Sequence, residues 1–468
     1  MYTLEKGNKY ILDNIKKVNN QFRLKYHMMP PFGWMNDPNG VIHYKNEYHV
    51  FYQFYPYDSK WGPMHWGHSI SNDLITYKDL DIALAPDLDD ETGCFSGGAI
   101  LNQSNKEELL LFYTKHYEEN KIKKESQNIA RSIDGVNFIK DKVVAIDTDN
   151  IPNNADKIEF RDPNPVYVNG NYYILIGSRD NNGKGQILVY KSSDLKEYTY
   201  HFTIGPNEFT GVMGECPDYF SIDGYGVILF STIELEKEEN RFKNVNSSLY
   251  MIGEIDLEKK ICNIDRIEEI DKGHDFYAPQ TLLDNEGRRV MISWMEMWNK
   301  KYYTHENGHD WCGAMTIPRT LSIVDGLLNQ YPVKTISDYY GNVVEFNERL
   351  INKQCDIILN LKPHDCVIKF ENPSDSNDYF EIGQRENKVY LDSTNVLLDK
   401  QDLRKTTFYY LDEYELRILI DTSSVEIFVD NGKEAITSRM FMDCEKYKVK
   451  ISSKEELSLE GRIITLNV

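Results

Sequence analysis

The sequence predicts an all-β chain: a five-bladed β-propeller followed by a C-terminal β-sandwich. Three features point to this. Aromatic residues make up 12% of the 468, with 32 tyrosines, and tyrosine suits pleated, half-buried surfaces. A strand pattern recurs about every 60 residues between residues 27 and 337. Beyond about Asp338 that period is lost and short alternating strands replace it.

Residues 1–26 read as an N-terminal extension. Leu4 to Lys25 has weak helical spacing (Ile11, Ile15, Val18, Phe22) and is expected to cover the outside of the fold. Next comes His27-Met28-Met29-Pro30-Pro31-Phe32-Gly33-Trp34-Met35-Asn36-Asp37-Pro38-Asn39-Gly40. Pro38 fixes φ, and Asn39 and Gly40 tolerate φ > 0, so Asp-Pro-Asn-Gly predicts a sharp chain reversal. On that reading Asp37 is an ordinary turn acid. Trp34 and Asn36 beside it are not explained by a turn.

Two series mark the repeat across 27–337. Ser-x-Asp-x-x-x-aromatic occurs at Ser71-Asp73-Tyr77, Ser132-Asp134-Phe138 and Ser192-Asp194-Tyr198, with starts 61 and 60 residues apart. Apolar runs begin at Tyr48, Leu109, Tyr172, Val227 and Arg289, spaced 61, 63, 55 and 62 residues. Units of this size hold four strands each, as propeller blades do, and the runs are too short and too rich in Tyr, Val and Ile for helical solenoids. After a linker from Tyr331 to about Asn347, residues 345–468 read as the sandwich. There Ser424 to Val429 meets the hairpin signal Asp430-Asn431-Gly432.

The formal charge of −21 repels polyanions, so no nucleic-acid partner is expected. No apolar run approaches a membrane span, and no apolar signal segment precedes Tyr26, so a cytoplasmic protein without membrane contact is expected. The seven cysteines are scattered, odd in number and without a Cys-x-x-Cys pair. This argues against a disulfide framework and a structural zinc site.

Phase within the repeat then groups polar residues. Asp37, Ser96, Asp162, Glu215 and Tyr277 lie 11, 13, 10, 12 and 12 residues before their apolar runs. On innermost strands they meet at one end of the axial channel, which gathers three carboxylates. Singly, Arg161-Asp162-Pro163 is an ion pair before a turn and Glu215 an exposed strand acid. Jointly, such a gathering is costly unless it is used, and glycosidases use it. Calcium is a weaker alternative, since no Asp-x-Asp-x-Asp-Gly loop is present.

Six ordered segments resemble the glycoside hydrolase family 32 β-fructosidases (invertases, sucrose-6-phosphate hydrolases and fructan exohydrolases). They are Trp34 to Gly40, Trp61 to His68, Cys94-Phe95-Ser96-Gly97-Gly98, Arg161-Asp162-Pro163, Glu215-Cys216-Pro217-Asp218 and Tyr277-Ala278-Pro279-Gln280. The tail segment Ser424 to Val429 resembles the family's sandwich domain. The resemblance implies a retaining double displacement with Asp37 as nucleophile, Glu215 as acid/base and Asp162 as transition-state stabiliser. It also implies a fructose pocket of Trp34, Asn36, Gln53, Trp61, Phe95, Ser96, Arg161 and Trp294, with Met35 in the same motif. The substrate would be a small molecule: sucrose, sucrose 6-phosphate or a short fructo-oligosaccharide. No metal or organic cofactor is implied. Glu215 is expected to be protonated near neutral pH, in an apolar setting beside ionised Asp37. Gly98 departs from the family's usual serine, with little effect expected on the fructose site. Lys121, Lys123, Lys124 and Arg131 are either phosphate-binding rim residues or a solvated hairpin. An inverting arabinan- or xylan-type propeller and a non-catalytic carbohydrate-binding propeller are the alternatives.

Overall fold

The computed structural model describes residues 2–362, 364–407, 412–453 and 460–468. Five antiparallel sheets follow one another along the chain as blades of a propeller. Blade one holds β1 (Gly33–Tyr44), β2 (Glu47–Tyr55), β3 (His65–Ser71) and β4 (Lys78–Asp79). Blade two holds β5 (Gly93–Leu101), β6 (Leu109–Glu119), β7 (Ile122–Ser132) and β8 (Ile139–Lys140). Blade three holds β9 (Ala155–Val168), β10 (Asn171–Asp180), β11 (Gly185–Ser192) and β12 (Thr199–Ile204). Blade four holds β13 (Gly214–Ile222), β14 (Tyr225–Ile233), β15 (Asn246–Asp256) and β16 (Ile261–Glu269). Blade five holds β17 (Tyr277–Leu283), β18 (Arg289–Trp294), β20 (Arg319–Val324) and β21 (Leu327–Pro332). Between β18 and β20, the two-residue β19 (Trp311–Cys312) leaves its blade and pairs in parallel with β1, closing the ring.

The apolar runs are the second strands of the blades, β2, β6, β10, β14 and β18. Nearly all their residues are buried, because a blade is covered on both faces by its neighbours. The Ser-x-Asp series ends the third strands. Ser71 Oγ accepts from Leu74 N at 2.7 Å, and Asp73 Oδ1 accepts from Ile75 and Thr76 N, both at 2.9 Å. Ser132-Asp134 and Ser192-Asp194 build the same turn.

Asp37-Pro38-Asn39-Gly40 is not a chain reversal. It lies inside β1, and the reversal comes later, at Lys45 and Asn46 with φ 50° and 65°. The turn-forming residues are used for two bulges, between Met35 and Pro38 and between Asn39 and Ile42. Every innermost strand has a bulge at the corresponding place: around Ser96, Asp162-Pro163, Cys216-Pro217 and Ala278-Pro279. Asp162, Cys216 and Ala278 sit there with φ of 64°, 47° and 51°. A left-handed non-glycine residue costs about 1–3 kcal/mol, and bulges beside active sites re-aim side chains.

The bulges also correct the phase. Asp162, Cys216 and Ala278, each before a proline, open the bulge in their strands, and Glu215 and Tyr277 stand one place earlier, level with Arg161. In blade one the bulge holds Asn36 and Asp37, so Asp37 is its second residue. Spacings varying by a residue or two hid this slip.

Two six-stranded sheets form the sandwich. One orders Tyr340–Glu345, Glu460–Leu466, Cys355–Leu361, Tyr414–Asp421, Ser424–Val429 and Glu434–Arg439. The other orders Arg349–Asn352, Lys446–Ser453, Cys366–Asn372, Asp375–Arg385, Lys388–Asp392 and Arg404–Lys405. Their inner faces share an apolar core including Ile357, Phe370, Phe380 and Ile427. The Asp430-Asn431-Gly432 hairpin docks on blade five, where Gln330 N donates to Gly432 O at 2.9 Å.

Helix α1 (Leu4–Asn14) is capped by Thr3 Oγ1, which accepts from Lys6 N at 3.2 Å. It lies on blade one, with Gly7 against Ile82. Phe22 extends to the sandwich, packing edge-on against Phe441. His27 then reaches both Asp421 and Glu426 at 2.8 Å. Glu426 Oε2 also accepts from buried Arg319, which donates to Asp271 on its other side. This buried charge network ties the sandwich to the propeller.

Candidate active site

The axial end of the channel opens into a cavity of about 450 Å³, with Asp37, Asp162 and Glu215 in its wall. Blades one, three and four supply these acids, as expected. Asp37 is held at both oxygens. Its Oδ2 accepts from Ser96 Oγ at 2.7 Å, and its Oδ1 from Asn36 Nδ2 at 3.0 Å. Asn36 is itself held by Trp34 Nε1 at 2.8 Å. Burial raises the Asp37 pKa, Ser96 and Asn36 oppose that rise, and the charge of Glu215 adds to it.

Asp162 Oδ2 accepts from Cys216 N at 3.0 Å. The Cys216 thiol bridges two acids, 3.5 Å from Asp162 and 3.6 Å from Asp37. Burial pushes Asp162 up to about 7; Arg161 lowers it, while Glu215 and Asp37 raise it further. Burial also raises the Cys216 thiol, with Asp162 the next cause.

Glu215 is held from both sides. Its Oε1 accepts from Arg161 Nε and Nη2 at 3.1 and 2.8 Å, and its Oε2 from the Tyr277 hydroxyl at 2.6 Å. An apolar setting was expected here; the immediate partners are a guanidinium and a phenol. Arg161 Nη1 also donates to Glu125 at 3.3 Å and to Glu159. Burial opposes the charge of Glu125, yet Arg161, His116 and Lys123 hold its pKa well below the usual carboxylate range.

Asn36, Gln53, Trp61, Phe95, Ser96 and Arg161 line the cavity. Three expected lining residues do not. Trp34 and Trp294 are fully buried behind the wall, 5.7 Å apart edge-to-face, and Met35 belongs to the core. Trp298 takes the surface position, 4.9 Å from Trp294. Its place four residues beyond Trp294, outside any strand, gave no periodic signal.

His116, Glu118, Lys123, Glu125, Cys216, Asn246, Tyr277 and Asn299 also line the cavity. Of these, Tyr277 and Lys123 were legible from phase and from the basic hairpin. Glu125 and His116 were hidden in a stretch that reads as solvated charge. Lys124 pairs with Asp147 and Arg131 with Asp141, and neither they nor Lys121 line the cavity. Gly98 does not line it either. A Cβ there would lie 2.8 Å from Pro165 on blade three, so the missing hydroxyl reflects blade packing.

Carboxylates from three blades, amide and hydroxyl donors and exposed aromatic faces together define a glycosidase site on a propeller. The comparisons narrow this. Residues 27–332 match the model of the glycosyl hydrolases family 32 N-terminal domain, and residues 363–467 match that of the family 32 C-terminal domain. The chain is 32% identical over 451 residues to the sucrose-6-phosphate hydrolase of Escherichia coli, covering 92% of each. It is 33% identical over 460 residues to that of Bacillus subtilis, covering 95% of this chain and 94% of the relative. A solved GH32 β-fructofuranosidase from Bombyx mori superposes with a TM-score of 0.89 at 32% identity, over 99% of this chain and 98% of that one. The sucrose-6-phosphate hydrolase of Lactobacillus gasseri gives 0.89 at 26% identity, over 100% and 99%. The chain belongs to glycosyl hydrolases family 32.

Proposed function

We propose that the chain releases β-D-fructofuranosyl units from sucrose, sucrose 6-phosphate or short fructo-oligosaccharides by double displacement through a covalent fructosyl-enzyme. The observation that carries this is that two acids with different partners, Asp37 and Glu215, face one cavity. Asp37 is clamped by Ser96 and Asn36, which suits a nucleophile that must approach one carbon along one line. Glu215 lies on groups that can exchange partners, which suits a proton carrier.

In the first step an Asp37 oxygen bonds to the anomeric carbon C2. The C2–oxygen bond to the leaving sugar breaks, and that oxygen takes a proton from Glu215. Arg161 has a second seat on Glu125 and Glu159, so its contact with Glu215 can loosen when the acid is protonated. In the second step Glu215 takes a proton from water, the water oxygen bonds to C2, and Asp37 departs. Asp162, at a bulge with φ 64°, accepts hydrogen bonds from fructose hydroxyls and stabilises the oxocarbenium-like state. Trp61, Phe95 and Trp298 offer apolar faces to sugar C–H groups.

The seven free thiols suit a reducing compartment and support a cytoplasmic location. Following the first-formed fructose by NMR tests the mechanism. The β anomer should appear first, whereas early α-fructose would indicate single inversion and overturn the proposal.

A further inference from the structure

On the wall beside Glu215, the cations are already surrounded by carboxylates. Lys123 Nζ lies 3.2 Å from Glu125 and 3.1 Å from Glu159. Arg161 is shared among Glu125, Glu159 and Glu215. His116 stands 3.3 Å from Glu125 and 3.6 Å from Glu118, with its ring stacked 3.9 Å from Phe95. Among the described lining residues, five acids face two permanent cations, and Glu159 adds a sixth carboxylate to the network.

We infer that this site selects an unphosphorylated leaving group, with Glu118, Glu125 and Glu159 as its specificity-determining residues. The inference rests on the fructosidase reading above and names the substrate class within it. A phosphate on the departing sugar needs Arg or Lys donors free to turn toward it. Here it would have to pull Lys123 or Arg161 from Glu125, whose side chain is fully buried. An unpaired buried carboxylate is strongly unfavourable. Without that exchange the dianion meets a net-negative mouth on a chain of charge −21. A neutral hexose meets Trp61, Trp298, Asn246 and Asn299, which offer stacking faces and amide groups.

A neighbouring cleft shares Trp298 and Asn299 and contains further lysines. Lys243 is paired with Asp402 at 3.2 Å, and Lys300 with Asp275 and Glu296. Lys301 and Lys400 are exposed at its edge. That cleft provides the control for the test.

The test is kcat/KM for sucrose and for sucrose 6-phosphate, at low salt and at about 0.5 M salt. Sucrose should be favoured at least about tenfold at low salt, and the gap should narrow as salt screens the acids. Glu118→Gln should raise the sucrose 6-phosphate to sucrose ratio about fivefold. Replacing Lys301 and Lys400 together with glutamine should leave the ratio unchanged. Equal or better use of sucrose 6-phosphate would overturn the inference alone, as would a selective loss of that substrate in the lysine variant. A gap indifferent to salt would remove its electrostatic basis. A protein that cleaves neither sugar would overturn the fructosidase reading and this inference with it.

Discussion

His27, just before the first blade, and Asp421, in the sandwich, lie 2.8 Å apart with neither side chain exposed. Glu426 lies at the same distance on the other side of the imidazole. Burial alone would lower the His27 pKa, but the two carboxylates push it up to about 9 from 6.5. The folded protein therefore binds this proton more tightly than the unfolded chain. Its contribution is fully present below about pH 6.5 and is lost as pH rises through about 9, amounting to roughly 3 kcal/mol. Denaturant melts at pH 6 and pH 9.5 should show that loss, and His27→Gln should flatten it.

Asp162 has the same sign in a lower pH window. Its carboxyl is pushed up to about 7 when folded, whereas an unfolded aspartate ionises near 3.9. Ionisation therefore subtracts stability progressively between about pH 4 and pH 7. Asp162→Asn should melt higher than the parent at pH 7.5 while losing most of its activity. A lower melting temperature would show that the carboxylate is structurally favourable.

Asp37→Ala and Glu215→Ala should each fold and lose activity by several orders of magnitude. The Glu215 loss should be about 10²–10⁴-fold, as for general acid–base groups. Steady-state assays with sucrose and kestose, alongside circular dichroism, check this. Near-normal turnover in either variant would contradict the assigned roles.

Trp294 and Trp298 should separate packing from binding. Trp298 lines the cavity and Trp294 is fully buried behind it. Trp298→Ala should raise KM for sucrose about tenfold through lost stacking and leave the fold intact. Trp294→Ala should cost about 3–5 kcal/mol of stability, read in a denaturant melt.

The fold was largely legible because each blade repeats an apolar second strand, and the first three blades add a Ser-x-Asp turn. The three acids were legible because their distances from the apolar runs agree to within two residues. Local propensity misled at Asp37-Pro38-Asn39-Gly40, since residues that favour turns also favour bulges, and only pairing with β2 decides between them. Trp34 and Trp294 read as sugar platforms, but large aromatic rings are equally useful as buried packing. Glu125 could not be found from sequence, because a solvated charged hairpin and a wall of buried ion pairs have the same composition.

The parallel pairing of β1 with Trp311–Cys312 has a consequence for the order of assembly during synthesis. Blade one leaves the ribosome first, yet the inner edge of β1 has no partner until residue 312 has emerged. By then the strands bearing Asp162 and Glu215 have already been made and can pair within their own blades. Asp37, the earliest of the three acids in the chain, is therefore the last whose strand is completed. A nascent chain stopped before residue 311 would contain all three acids, but the strand bearing Asp37 would still lack its inner neighbour.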